Sequence, residues 1–247
     1  MPLEAPLAPV AERVADLNRR YAHHAAMDVL RHALADPQVG TTAMVSSFGA
    51  ESVVLLHLLS RVDRAVPVVF IDTEMLFAET LAYQRDVAAR LRLTDVRVIT
   101  PARADLLMED PEALLHRKDP DACCTLRKTR PLERALGGFD AWITGRKRYQ
   151  GGQRGALDFF EADGPDRIKV NPLAFWTRED LTDYMANNKL PRHPLVARGF
   201  ASVGCAPCTT KVREGEDPRA GRWRGQEKVE CGIHFETGRP RTGIRQP

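Results

Sequence analysis

Cysteine is the residue type whose arrangement most narrows the chemistry of this chain. Cys123 and Cys124 are adjacent, Cys205-Ala-Pro-Cys208 forms a CxxC pair, and Cys231 stands alone in Glu-Cys-Gly-Ile-His. Two pairs far apart in sequence plus a singleton invite a division of labour, in which four thiolates hold a metal centre and one does chemistry. A CxxC pair by itself is ambiguous between a redox disulfide, zinc and an iron–sulfur cluster. The tandem pair adds a constraint. Neighbouring side chains diverge in a helix or strand, so they rarely clamp one tetrahedral Zn²⁺ together, but they can reach different iron atoms of a [4Fe–4S] cube. Zinc and disulfides remain open at this level.

Two further segments have the composition of ligand-binding turns. Ser46-Ser47-Phe48-Gly49-Ala50-Glu51-Ser52 lies between an apolar run and a helical one. Its small residues permit close backbone approach, and N–H groups and hydroxyls at a helix N-terminus favour an anion such as phosphate. It lacks the Gly-Lys-Ser/Thr ending of a Walker loop, and an ordinary strand-to-helix turn explains it equally well. Asp72 follows the next apolar run. Ligands of open α/β sheets bind outside the carboxyl ends of the strands, so Asp72 is placed either to face a nucleotide or to cap the following helix.

The elements that must position these residues alternate. An amphipathic stretch carries Val14, Leu17, Tyr21, Leu30 and Leu34 at near-helical spacing and ends at Asp36-Pro37. Strands are predicted at Ala43–Val45, Val66–Ile71, Val96–Ile99 and Ala141–Thr144, with helices over Ser52–Leu59 and Phe77–Leu91 between them. Short apolar strands separated by helices predict an α/β fold, a mostly parallel sheet with helices on both faces. Thr177-Arg-Glu-Asp180 reads as a capping box opening a helix to about Asn187. Beyond Gly199 the apolar period fades, which predicts an irregular, mobile C-terminal tail with Cys231 embedded in it.

The 247 residues, 43% hydrophobic and 28% charged, fit a soluble globular protein, and a net charge of +3 is too small to argue for nucleic acid as a partner. No apolar run approaches the roughly 18 residues needed to span a membrane. Glu4 and the nearby prolines stand where a signal peptide would be basic and then apolar. With an odd cysteine count, the expectation is a cytoplasmic protein with reduced thiols.

Taken together and in order, the serine-rich turn, Ile71-Asp72-Thr73-Glu-Met-Leu, Cys123-Cys124-Thr-Leu-Arg-Lys128, Gly204-Cys205-Ala-Pro-Cys208-Thr and Glu230-Cys231-Gly-Ile-His234 resemble the assimilatory adenylyl-sulfate reductases, the cluster-bearing branch of the adenylyl-sulfate/phosphoadenylyl-sulfate reductase family. The resemblance runs from about Met44 to His234. It implies an adenine-nucleotide α-hydrolase-like sheet, with Ser46, Ser47, Phe48, Gly49, Glu51, Ser52 and Asp72 in the substrate site. It also implies a [4Fe–4S] cluster on Cys123, Cys124, Cys205 and Cys208, and Cys231 as nucleophile. Adenylyl sulfate would be the substrate, reduced to sulfite and AMP through an S-sulfocysteine that thioredoxin (or glutaredoxin) resolves. That activity belongs to sulfate assimilation and cysteine biosynthesis. Lys128, one helical turn after Cys124, would lie between cluster and sulfate. Arg219 and Arg222 would bind the phosphosulfate, and His234 would approach it from three residues beyond Cys231.

The chain departs from the family in one loop. Where the pattern reads Arg-Arg-Asp-Gln-Ser, this sequence has Arg146-Lys147-Arg148-Tyr149-Gln150-Gly151. Arg154 and Arg148 are both candidates for a further phosphosulfate-binding arginine, and the basic run at 146–148 is a candidate site for a substrate's 3′-phosphate. Such a site would make the chain a phosphoadenylyl-sulfate reductase. An adenylating ATP pyrophosphatase is the alternative from another enzyme class, disfavoured by Phe48, Ala50 and Glu51 where those enzymes read Ser-Gly-Gly-x-Asp-Ser. The expected organisation is an N-terminal helical segment at 1–40, a nucleotide-binding domain carrying the cluster at 41–213, and a tail with the catalytic cysteine at 214–247. The sequence does not fix whether the chain forms a homo-oligomer.

Overall fold

Six strands form one sheet in the order β3-β2-β1-β4-β6-β5 in the computed structural model, which describes residues 7–151, 154–226 and 228. Strands β1 (Thr42–Val45), β2 (Val68–Ile71), β3 (Val96–Ile99), β4 (Ala141–Ile143) and β6 (Arg167–Val170) run parallel, while β5 (Phe160–Asp163) pairs antiparallel with β6. The sheet is therefore mostly parallel, as expected. Buried Met44, Val68, Phe70, Trp142 and Ile143 explain why the central strands read as unbroken apolar runs, since both faces are covered. Helix α3 (Ser52–Val62) is apolar nearly all round, burying Val53 to Leu56, Leu58 and Leu59.

The order of connection reverses at β1, whose neighbours β2 and β4 leave their C-terminal loops on either side of it. This is the switch point at which open α/β sheets form a crevice. The amphipathic N-terminal stretch is two helices, α1 (Val10–Tyr21) and α2 (Ala26–Ala35), because the period breaks at 22–25. Asn18 on α1 covers the edge strand: its side chain donates to Phe160 O at 2.8 Å and accepts from Phe160 N at 2.9 Å. The hairpin β5–β6 has no counterpart in the sequence expectations.

After β2 come α4 (Ala78–Leu91), then β3, α5 (Arg103–Glu109) and α6 (Leu115–Lys118). The chain then enters a helix built in three parts: α7 (Pro120–Cys124), a π-helical turn (Thr125–Thr129) and α8 (Arg130–Ala135). Asp119 caps its start, accepting from Asp121 N at 3.0 Å and Ala122 N at 2.9 Å. The widened turn has a local cause. Pro131 has no N–H to offer the carbonyl of Arg127, and its ring would collide with it, so the helix loosens ahead of the proline. Helix α9 (Arg178–Asn187) opens with the predicted box: Asp180 N donates to Thr177 Oγ1 at 3.1 Å and Thr177 N to Asp180 Oδ2 at 2.7 Å.

Candidate active site

A cleft of about 250 Å³ opens at the switch point, walled by the loops after β1, β2 and β4 and by 201–204 and 217–223. Of the residues singled out from sequence, Ser46, Ser47, Gly49, Glu51, Ser52, Lys128, Arg154, Arg219 and Arg222 line it. Arg148 does not. Its guanidinium donates to Asp158 at 2.8 Å and stacks 4.0 Å from the Phe175 ring, so of the two candidate arginines the fold brings Arg154 to the cleft. Cys231 and His234 lie outside the described residues.

The serine-rich turn is braced by its own hydrogen bonds. Phe48 N donates to Ser46 Oγ at 3.2 Å, Gly49 N to Ser52 Oγ at 3.0 Å, and Ser52 N to Gly49 O at 3.2 Å. These amides are thus directed inward to partners in the turn itself, and Glu51 adds a carboxylate at the start of α3. An anion in the cleft would meet the turn's remaining N–H groups and its hydroxyls rather than these three amides. Phe48 occupies the left-handed region (φ 46°), and its ring is buried edge-on against Phe70, 5.3 Å between centroids. It is a core residue that fixes the turn and is not among the residues lining the cleft. Asp72 turns aside as well, accepting Glu74 N at 2.9 Å, while Phe77 occupies the N-cap position of α4.

Cys123 comes within electrostatic reach of Cys205 and Cys208, beside a cleft wall that includes Thr73, Lys128 and Gly204. Cys123 and Cys124 end α7, and Cys205 and Cys208 bracket a 3₁₀ turn; all four are free thiols, and all but Cys208 are buried. Burial pushes the Cys123 thiol up to about 11; Arg127 opposes the rise, and Cys205 and Cys208 add to it. Burial and Cys205 raise Cys208, against the pull of Lys128, Arg222 and Lys228. Lys128 therefore acts on Cys208, across the junction between the pairs. No three His, Cys, Asp or Glu side chains among the described residues are grouped to hold a metal ion.

The loop after β2 ties the pairs to the sheet. Thr73 Oγ1 lies 3.2 Å from Cys205 Sγ, and Ala206 N donates to Met75 O at 2.8 Å. Arg127, buried in the π-helical turn, donates to Thr73 O at 3.0 Å and to Asp110 Oδ2 at 2.8 and 3.2 Å. On the far side Trp223 N donates to Cys208 O at 3.1 Å, and the Arg222 guanidinium lies 4.4 Å from the Trp223 ring centroid. Lys228 donates to Pro120 O at 3.3 Å and pairs with Asp121. None of Thr73, Asp110, Arg127, Trp223 or Lys228 was selected from sequence. Thr73 and Arg127 sit inside motifs that were, next to Asp72 and Lys128; nothing in the sequence marks Asp110.

The divergent loop is also absorbed by the fold. Lys147 Nζ donates to Glu51 Oε2 at 2.7 Å, Tyr149 Oη to Glu51 Oε1 at 2.8 Å, and Gln150 approaches Oε2 at 3.5 Å. Arg146 pairs with Glu161 and donates to Asn171 Oδ1 at 3.2 Å. Burial alone would raise Glu51; Lys147, Tyr149 and Arg178 outweigh it and hold the carboxyl below its ordinary value. Burial lowers the Lys147 ammonium, only partly offset by Glu51. The run 146–148 is thus engaged with protein partners and is not an open anion patch.

Residues 41–211 match the family model for the phosphoadenosine phosphosulfate reductase domain. Adenosine 5′-phosphosulfate reductase from Mesorhizobium japonicum is 47% identical over 226 residues, 92% of this chain and 89% of the relative. Phosphoadenosine 5′-phosphosulfate reductase from Gloeobacter violaceus is 40% identical, over 77% of this chain and 81% of its own length. Among solved structures, phosphoadenylyl-sulfate reductase from Candida auris, in a phosphate complex, superposes with a TM-score of 0.69 at 26% identity, covering 84% of this chain and 100% of that one.

Proposed function

The chain belongs to the phosphoadenosine phosphosulfate reductase family, and on that premise we propose a thiol-dependent reduction of adenylyl sulfate to sulfite and AMP, in sulfate assimilation. The observation that carries the reading is the meeting of two cysteine pairs with Lys128 and Arg222 at one end of a nucleotide-type crevice. Cations there offset the charge on a sulfate and on the departing phosphate.

In the proposed reaction the Cys231 thiolate attacks the sulfur of adenylyl sulfate. The S–O bond to the phosphate breaks, AMP leaves with the bonding pair, and Cys231 carries a sulfo group. A thiolate of thioredoxin then attacks Cys231 Sγ, expelling sulfite with its electron pair. The second thioredoxin thiol resolves the mixed disulfide, regenerating Cys231 and leaving thioredoxin oxidised. Lys128, Arg154, Arg219 and Arg222 would hold the phosphosulfate. Arg148, directed away to Asp158, is withdrawn from that set.

The donor set fits a [4Fe–4S] cluster on Cys123, Cys124, Cys205 and Cys208. All four thiols are unlinked, Cys123 lies within electrostatic reach of Cys205 and Cys208, and a polynuclear cluster gives each thiolate its own iron where one ion would need them grouped more closely than the described residues are. Such a cluster would supply a fixed, highly polarisable charge beside Lys128 and the sulfate. The test is Cys231→Ser: it should retain iron, sulfide and AMP binding while losing sulfite release and the sulfo adduct detected by mass spectrometry. An adduct on another cysteine refutes the assignment.

A further inference from the structure

Lys228 is a buried lysine that touches both cysteine pairs. Its side chain is 8% exposed, on the last described residue before Cys231. The ammonium donates to Pro120 O at 3.3 Å, to the Asp121 carboxylate and to the Cys124 thiol, and it lies 5.9 Å from the Trp223 ring centroid. It also bears electrostatically on Cys208, so one cation reaches a member of each pair. Trp223 completes the seat. Its N–H donates to Cys208 O at 3.1 Å, its carbonyl accepts Gln226 N at 2.9 Å, and this turn, with Gly225 at φ 79°, returns the chain to α7. A lysine is seldom buried without a partner, and the partner decides where its charge acts.

The buried cations beside the cysteines differ in that respect. Arg127 and Asp110 form a pair with both side chains buried, and they act on Cys123 with opposite signs, so their charges largely cancel there. The Asp121 side chain is 80% exposed, and an ion pair with one partner in water is weak. Lys228 therefore keeps most of its charge for the sulfur side. Four thiolates around a [4Fe–4S] core leave a net negative charge, and a buried charge needs a buried counter-charge. The same lysine stands three residues before Cys231, and three residues of chain reach at most about 11 Å. We infer that Lys228 is a positioning residue that couples the two: the charge of the filled cysteine site holds the ammonium, and the ammonium holds the chain after Trp223 against α7, from where the nucleophile extends. The inference rests on the cluster and the nucleophile of the proposed reaction and deepens it, giving the cluster a part in placing Cys231.

The test uses the whole loaded protein, with iron and labile sulfide measured, as wild type, Lys228→Met, Lys228→Arg and Asp121→Asn. Two readouts need no turnover: the rate at which a chelator removes iron, and hydrogen exchange of the amides at 223–226. Lys228→Met keeps the apolar stem and removes the charge, and should speed both by about tenfold, the weight of one charge-assisted hydrogen bond. Lys228→Arg keeps the charge and should restore most of either rate. Asp121→Asn removes only the water-exposed partner and should stay within about twofold of wild type in both. In a single turnover with adenylyl sulfate, Lys228→Met should form the sulfo adduct on Cys231 about tenfold more slowly, with AMP affinity within about threefold. The inference is overturned if Lys228→Met leaves either rate within twofold of wild type, or if Asp121→Asn matches it. Should Lys228→Met load no iron, loading by both Lys228→Arg and Asp121→Asn supports the role of the charge, and loss in either one overturns it. Wild type that holds no iron, or forms no adduct from adenylyl sulfate, refutes the underlying reading instead.

Discussion

Gly204→Ala probes the anion end of the cleft without removing any charged group. A Cβ at position 204 would stand 2.3 Å from Arg222 Nη2 and 2.4 Å from Cζ. Apolar contacts relax only near 3.5 Å, so the guanidinium must withdraw by about 1 Å. The clash is with the far end of a flexible side chain and Gly204 is not in the left-handed region, so the backbone tolerates alanine. What is lost is the seat of the arginine: its 3.3 Å bond to Val203 O and its stacking on Trp223. A displaced guanidinium gives up a charge-assisted hydrogen bond to the nucleotide phosphate, about 1.5–3 kcal/mol, or roughly ten- to a hundredfold in affinity. Calorimetry with AMP should register that loss. Adenosine, which has no phosphate, should bind as before, and iron content and melting temperature should hold. An AMP affinity within threefold of wild type would refute the placement of Arg222 in the phosphosulfate site.

Three further outcomes follow from other contacts. Replacing Cys123 or Cys208 by serine should abolish iron and labile sulfide together; stoichiometric zinc without iron in protein prepared without air would reject the cluster. Asp110→Ala strands the buried Arg127 cation, which typically costs about 3–5 kcal/mol, and should lower the melting temperature by roughly 6–20 °C; a fall under 2 °C would show that Arg127 finds another partner. The Asp140 carboxylate is held below its ordinary value by the Thr41 hydroxyl and amide. A depressed folded pKa stabilises fully above the unfolded value near 4 and ceases to do so as pH falls through the folded one. Asp140→Asn should therefore lose less stability than wild type in melts taken from about pH 6 down to pH 3; parallel curves would rule this contribution out.

β2 announces itself because a buried parallel strand carries few polar residues. The edge strand β3, with Val98 half exposed, is legible through its β-branched residues instead, and Thr177–Asp180 announces α9 because the cap is local. β5 and β6 escape for the opposite reason. Lys169 is buried against Asp163 at 2.8 Å, and Trp142 Nε1 donates to the same carboxylate at 2.7 Å. Charged residues inside a sheet are acceptable only with such partners, and a partner on another strand leaves no periodic trace. The cysteines were legible through their chemistry. Arg127 and Thr73, 54 residues apart, were not, because their meeting depends on how the helix from 120 to 135 is laid against the loop after β2.

The same distinction governs how charge is used around the cleft. Arg146, Lys147 and Arg148 read as a basic run, yet folding sets each against a carboxylate, and the positive potential they would have lent to the β4 side is largely cancelled there. Lys128, Arg222 and Lys228 instead bear on Cys208, where burial and a neighbouring thiol work against ionisation. Arg154 and Arg219 act in turn on Lys147, beside Glu51, so the cationic lining runs from the cysteines to the loop after β4, where Glu51 is the counter-charge. Removing that counter-charge by Glu51→Ala leaves the buried Lys147 ammonium unpaired, which typically costs about 3–5 kcal/mol, and should lower the melting temperature by roughly 6–20 °C; an unchanged melting temperature would refute the contribution of the pair.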